Sequence, residues 1–200
     1  MSGPLYRLDV AIKDSASPEV AKLLRVFDRA GGGMADFMKV VAAKGEDLTR
    51  RHILEAATTR HTTATRLGAT PTGYLAKRAN AIESVATGDT ATIRLGGAPE
   101  IFARAFGDVV VKPVLAKKLT IPLIAEAYGK RAREIPGLFP VRTKRGNALL
   151  MGRDGKQLKA YYLLKDSVRL PQDRGLLPSD EDYRQMVGEA ATDFIKLIQS

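Results

Sequence analysis

A chain of 200 residues with 44% hydrophobic content is long enough to bury a core and too apolar to be a disordered segment. It contains neither cysteine nor tryptophan, which excludes a disulfide framework, a thiolate nucleophile and any Cys-based zinc or iron–sulfur site. The net charge of +10 is concentrated, because Lys112 to Arg174 holds fifteen Lys or Arg against five Asp or Glu while the remainder holds seventeen of each sign. Such a stretch suits a phosphate backbone, an acidic partner or a solvated basic face.

The opening MSGPLYRLDVAIKDSASPEV lacks a basic start followed by a long apolar run, and nothing later approaches the roughly 18 apolar residues of a membrane span. Synthesis in the cytoplasm without a membrane anchor is therefore expected. Leu8, Val10 and Ile12 alternate with Asp9, Ala11 and Lys13, which predicts a short half-buried strand at a sheet edge. Ser17-Pro18-Glu19 opens a helix, with Val20, Leu23, Leu24 and Phe27 as its apolar stripe and Gly31-Gly32-Gly33 as its end. Phe37, Met38, Val41, Leu48, Ile53 and Leu54 predict a long helix from about Met34 to about Thr65, interrupted in propensity by Gly45. Gly68, Pro71 and Gly73 punctuate a turn before a further helix from about Thr72, whose apolar side Ile82 and Val85 continue.

From Thr87 the character becomes strand-like. Strands are predicted at Thr90 to Leu95, Ile101 to Phe106 and Val109 to Lys112, as antiparallel neighbours with a turn at Gly96-Gly97. The segment LTIPLIAEAYGKRAREI carries Ile124, Ala127, Tyr128 and Ile135 on a helix beginning at Pro122 and stopped by Pro136-Gly137. Two strand-like runs then flank Arg153-Asp154-Gly155-Lys156, and the Asp-Gly pair predicts a hairpin tip. Ser167 to Leu170 extends the second arm, and Ser179-Asp180-Glu181-Asp182 caps a terminal helix bearing Tyr183, Met186, Val187, Ala190, Phe194 and Ile198. The expected architecture is α+β, a single domain over residues 1–200 with three to four helices and five to seven strands. In it, an antiparallel sheet is packed by a long helix and shorter ones, and a basic β-hairpin arm over 141–165 protrudes.

No constellation of residues points to catalysis, a cofactor or a metal. His52 and His61 are the only histidines and stand nine positions apart, off the i, i+4 face that a helical metal pair needs. There is no P-loop, nucleophile elbow or dinucleotide fingerprint, and Gly31-Gly32-Gly33 lies between helices rather than after a strand. Glu46 and Asp47 have Arg50 and Arg51 as ion-pair partners one turn on, and Asp180-Glu181-Asp182 sits where a helix start favours negative charge. The hairpin is the one functional candidate: Lys144, Arg145, Arg153, Lys156 and Lys159 are placed to follow phosphates or an acidic neighbour, with Tyr161 and Tyr162 either stacking on bases or packing the ribbon. No sequence-specific nucleic-acid motif accompanies them.

Three stretches, RHTTATRLGATPTGYLAKRA from Arg60 to Ala79, KKLTIPLIAEAYGKRAREI from Lys117 to Ile135 and LKAYYLLKDSVRLPQDRGLLPSDEDY from Leu158 to Tyr183, resemble the phage virion morphogenesis family. Members are tail-completion or head–tail joining proteins. In place of the family's Arg-Pro after the "LKDSVRLP" strand, this chain has Gln172-Asp173-Arg174-Gly175. The resemblance implies a non-enzymatic structural protein of the virion neck or tail, present in host cytoplasm during assembly. Its partners would be further copies of itself in a ring of about six or twelve, the neighbouring connector and tail proteins, and packaged DNA contacted without sequence preference; no membrane is among them. The residues alone leave a second reading, a free-standing, sequence-nonspecific nucleic-acid-binding protein.

Overall fold

The computed structural model describes residues 7–10, 25, 33–60, 62–96 and 99–199. The predicted Ser17 to Phe27 helix, apart from Arg25, and also Ile12, His61 and Gly97, lie outside the described residues. The fold is α+β, with helices, antiparallel sheets, one long helix and β-hairpins. The chain divides into two compact units: unit 1 is Met1–Ala56, Leu75–Phe106 and Asp173–Ser200, and unit 2 is Ala57–Tyr74 and Gly107–Gln172.

Unit 1 is helices against a small sheet. The elements are β1 (Arg7–Val10), most of α1 (Gly33–Thr59), α3 (Tyr74–Ala79), β2 (Ile82–Thr87), β3 (Thr90–Leu95), α4 (Pro99–Phe106) and α5 (Asp180–Gln199), and the sheet order is β1-β3-β2, antiparallel throughout. Phe37, Met38, Val41 and Ile53 of α1 and Tyr183, Met186, Ala190 and Phe194 of α5 recur at helical spacing and are buried with Ile82, Ile93 and Phe102 in one core. The Phe37 and Phe194 rings meet at 5.6 Å with a tilt of 59°, within the centroid range at which aromatic pairs attract. Gly45 marks where α1 comes closest to the sheet: a Cβ there would lie 2.7 Å from Ile93 Cδ1. The residue that lowers the helix propensity is the one that lets the helix approach.

Several predicted elements are corrected. The long helix does not reach Thr65 unbroken; α1 ends at Thr59 and a separate helix, α2 (Thr62–Leu67), follows. Ile82 and Val85 do not continue α3 but lie on β2, where Ile82, Ser84 and Ala86 face inward by strand alternation and Thr87 pairs Thr90 across a two-residue turn. Ile101 to Phe106 is not a strand: Pro99 begins α4 and aims Phe102 into the core. The terminal helix forms as expected over Asp180–Gln199 with Tyr183, Met186, Ala190 and Phe194 buried, and it is started by Ser179, whose hydroxyl accepts from the Asp182 N–H at 3.2 Å while its own N–H donates to Asp182 Oδ2 at 2.8 Å.

Unit 2 is an antiparallel sheet protein with almost no helix. It holds β4 (Val109–Val111), β5 (Leu119–Pro122), β6 (Phe139–Arg142), β7 (Ala148–Asp154), β8 (Gln157–Lys165) and β9 (Val168–Leu170). Four strands make one sheet in the order β5-β8-β7-β6, and β4 pairs with β9 as a separate ribbon, so β3 and β4 are not the neighbours that chain order predicted. The predicted helix from Pro122 is also corrected. Leu119–Pro122 is an edge strand, which tolerates a proline, and the chain after it makes only the short 3-10 turns Ala125–Ala127 and Ala132–Glu134, parted by Gly129 at φ +76°. Asp108 clamps the ribbon, accepting from Arg169 Nε at 2.9 Å and from the Gln172 N–H at 2.8 Å; the backbone donor first, and Arg169 second, hold its carboxyl below the ordinary range.

Candidate functional site

The charge separates by unit. Unit 2 carries sixteen Lys or Arg against five Asp or Glu, and unit 1 sixteen against seventeen, so the whole positive excess of the protein belongs to unit 2.

Within the four-stranded sheet the five expected basic residues do not form one cluster. The hairpin itself is present: Asp154 pairs with Gln157, and Gly155 takes φ +59° at the first loop position, where a tight reversal requires glycine. Its base, however, is flanked on both sides, β6 pairing with β7 as far as Met151 and β5 with β8 as far as Tyr162. Only residues 152–160 extend beyond those pairings as a two-stranded tip. Arg153, Lys156 and Lys159 sit at this tip, whereas Lys144 and Arg145 sit in the β6–β7 turn at the opposite end of β7, about 20 Å away for a seven-residue strand.

At the tip the charge is partly spent. Lys159 is ion-paired with Asp154, and that hydrogen bond, with the attraction of the carboxylate behind it, raises the lysine's pKa. Arg153 and Lys156 remain exposed. The two tyrosines differ in access, Tyr162 being buried and Tyr161 half-buried. Tyr162, 1% exposed, is buried and donates its hydroxyl between the carbonyls of Ala127 at 3.1 Å and Lys130 at 3.0 Å. Desolvation holds its phenol above the ordinary value. Tyr161 falls at an irregularity of the β7–β8 ladder, where Leu150 pairs with Tyr162 but Met151 with Ala160. This extra residue re-aims the side chain, and the ring lies over Gly152, close enough that a Cβ there would stand 2.7 Å from Cε2.

The opposite end of the sheet gathers more cations than the sequence singled out. The register places Leu119 opposite Lys165, Leu164 opposite Ala148 and Ala148 opposite Arg142. Lys117 and Lys118 therefore enter β5 at the end where Lys165 leaves β8, Arg142 leaves β6, and Lys144 and Arg145 turn into β7. That turn is pinned: the Thr143 N–H donates to the Asn147 carbonyl at 2.9 Å, the Gly146 N–H to the Thr143 carbonyl at 2.9 Å, and the Asn147 N–H to Thr143 Oγ1 at 3.1 Å. Of the six cations, Lys118 is paired, with Asp166 at 2.5 Å; among the described residues no ion pair engages Lys117, Arg142, Lys144, Arg145 or Lys165. Lys117, Lys118, Arg142 and Lys165 were legible only as basic residues bordering strands; the register that collects them was not.

The remaining candidates have structural partners. His52 Nε2 donates to the Gly175 carbonyl at 3.0 Å. Glu46 is ion-paired with Arg50 and accepts from Ser84 Oγ at 2.7 Å, and that hydroxyl is the chief cause of its lowered pKa. Arg51 and Asp47 pair at 2.9 Å. Among the described residues no group of His, Cys, Asp or Glu is placed to hold a metal ion, and no helix is long and apolar enough to cross a membrane. Compared with known proteins, the chain matches no family model, no curated protein and no solved structure.

Proposed function

We propose that this chain is a structural assembly protein of a tailed-phage particle, a tail-completion or head–tail joining component that works as a ring of like copies between capsid connector and tail. The observation that carries this reading is the thin interior of unit 2. Among the described residues, the buried hydrophobic side chains of unit 2 are Ala57, Ala64, Ala127 and Tyr162, against a continuous seventeen-residue core confined to unit 1. Meanwhile Val110, Phe139, Val141 and Leu158 are exposed, and Val114 and Leu115 are 94% and 101% exposed on the loop between β4 and β5. A sheet needs a second layer to cover its apolar residues, and exposed apolar groups rimmed by charge mark protein contacts. A neighbouring copy supplies that layer, and repetition around a ring gives a basic lumen that accommodates DNA without reading its sequence.

The test is the oligomeric mass of the purified protein by light scattering, with imaging of particles to which it has been added. A closed ring, or a protein that joins particles at the capsid–tail junction, is expected. A monomer at every concentration that leaves particles unaltered overturns the reading.

A further inference from the structure

We infer that the strand-end row of unit 2, formed by Lys117, Arg142, Lys144, Arg145 and Lys165 with the paired Lys118 among them, is a track for the phosphate backbone of nucleic acid. The inference goes beyond the assembly reading and does not depend on it, since every residue of the row belongs to one chain and one sheet.

Three features support it. The row gathers at one end of the sheet, with Lys117 and Lys118 before β5, Lys165 at the end of β8, Arg142 at the end of β6 and Lys144 and Arg145 in the turn into β7, so the charges are spread over four strands roughly 4.8 Å apart, a width of several phosphates at the ~3.4 Å advance along one strand of a duplex. Among the described residues, five of the six cations have no carboxylate partner that phosphates would have to displace. The β6–β7 turn that carries Lys144 and Arg145 is fixed by three hydrogen bonds, so those two charges are positioned before anything binds, which lowers the ordering cost of association. The hairpin tip differs on the second point, having lost Lys159 to Asp154. The row itself carries only lysines and arginines and no aromatic ring, so the contact proposed is to backbone phosphates.

The experiment measures binding of a fluorescein-labelled duplex of about twenty base pairs by anisotropy across a salt series. The quadruple variant R142Q/K144Q/R145Q/K165Q is compared with the tip variant R153Q/K156Q and with the unaltered protein. All six side chains are exposed, and an unchanged circular dichroism melt verifies the fold. The unaltered protein is expected to bind with a steep salt dependence, and the row variant to lose about 0.9 from the log–log slope for each contact removed, about 3 to 4 in all. The tip variant is expected to keep most of its slope. Three results overturn the inference: no binding by the unaltered protein at low salt, equal losses in the row and tip variants, or row-dependent binding to phosphatidylglycerol vesicles with none to the duplex. Light scattering and particle imaging read the assembly separately, so a ring that ignores DNA defeats this inference alone, and a monomer that binds DNA through the row but leaves particles unaltered defeats only the assembly reading.

Discussion

Thr49 Oγ1 and Tyr183 Oη lie 2.7 Å apart in the core of unit 1, joining the middle of α1 to the first turn of α5. The direction of the bond follows from a second one: Thr49 Oγ1 is 2.7 Å from the Gly45 carbonyl, which can only accept, so the threonine proton goes there and the tyrosine must donate to Thr49. Thr49→Val strands a buried phenol proton and is expected to cost about 1–3 kcal/mol. Tyr183→Phe removes the donor instead, at about 0.5–1.5 kcal/mol. The double variant should cost less than the sum, because the second change removes the group that the first leaves unsatisfied. Urea unfolding of the three variants checks this; strict additivity would show that the bond does not form.

Burial is the main cause that lifts the Tyr183 phenol above its ordinary 10.0. A raised folded value means that the neutral form is favoured in the native state. Its stabilisation is complete below the unfolded value near 10 and is lost as the pH rises through the folded value. Thermal melts are therefore expected to fall above about pH 10, and less steeply in Tyr183→Phe.

Gly45 and Ile93 should behave as a coupled pair. Gly45→Ala gains about 1 kcal/mol of helix propensity but puts a methyl against Ile93 Cδ1 in a packed core, an overpacking that costs about 1–3 kcal/mol. Net destabilisation is expected. Ile93→Val deletes the opposing atom, so the double variant G45A/I93V should be more stable than the two single changes predict, and a double-mutant cycle measures the difference.

Elements whose signal is local were legible in the sequence. The terminal helix announces itself through Ser179 and Asp182 and the stripe from Tyr183 to Phe194, and the hairpin through Gly155 between two apolar runs. Where the signal was ambiguous, pairing or packing at a distance decided. Ile82 and Val85 fit helical spacing, yet the residues from Thr90 onward offer β2 a strand partner. Leu119–Pro122 reads as a helix entrance because proline suits a first turn, and becomes an edge strand because β8 lies beside it. The candidate site follows the same division. Lys144, Arg145, Arg153, Lys156 and Lys159 were visible as charges on a hairpin, but the register of β5 and β6 separates them into two ends and recruits Lys117, Arg142 and Lys165 to one of them. Register depends on which strands meet, and one chain's hydrophobic pattern does not specify that over such distances.

The Ser179 and Asp182 reciprocal cap makes the start of α5 acid-sensitive. Hydrogen bonds from the Ser179 hydroxyl first, and its backbone N–H second, hold the Asp182 carboxyl below its ordinary 3.8. A depressed folded value contributes stability above the unfolded value and loses it as the pH falls through the folded one. Melting temperature should thus decline below about pH 4, and Asp182→Asn should start lower at neutral pH and decline less. Ser179→Ala, which removes the hydroxyl bonds to the Asp182 N–H and carboxylate but keeps the backbone N–H bond to the carboxylate, is expected to cost about 1 kcal/mol at neutral pH.

Among the described residues, Tyr162 is the largest fully buried side chain and the sole large one in unit 2. Tyr162→Phe keeps the ring and loses the bonds to the Ala127 and Lys130 carbonyls, a change of about 1 kcal/mol. Tyr162→Ala is expected to cost about 3–5 kcal/mol and to expose β5, β7 and β8 amides to hydrogen exchange, since among the described residues of unit 2 no second ring is buried. Exchange confined to residues outside 107–172 in that variant would place the stability of unit 2 elsewhere.

Val114 and Leu115 separate folding from association. Because both side chains are exposed, Val114→Ser with Leu115→Ser removes little that the monomer buries, and the unfolding free energy should stay within about 0.5 kcal/mol. If the loop meets a neighbouring copy, the same change withdraws two aliphatic groups from that contact. Full burial of such groups is worth about 1.5–3 kcal/mol each, so self-association should weaken by at least tenfold, since about 1.4 kcal/mol is a factor of ten. The concentration dependence of the light-scattering mass reads this directly. A variant that assembles as readily as the unaltered protein would exclude the loop from the interface, and one that unfolds more easily would show that the two side chains pack within a single chain.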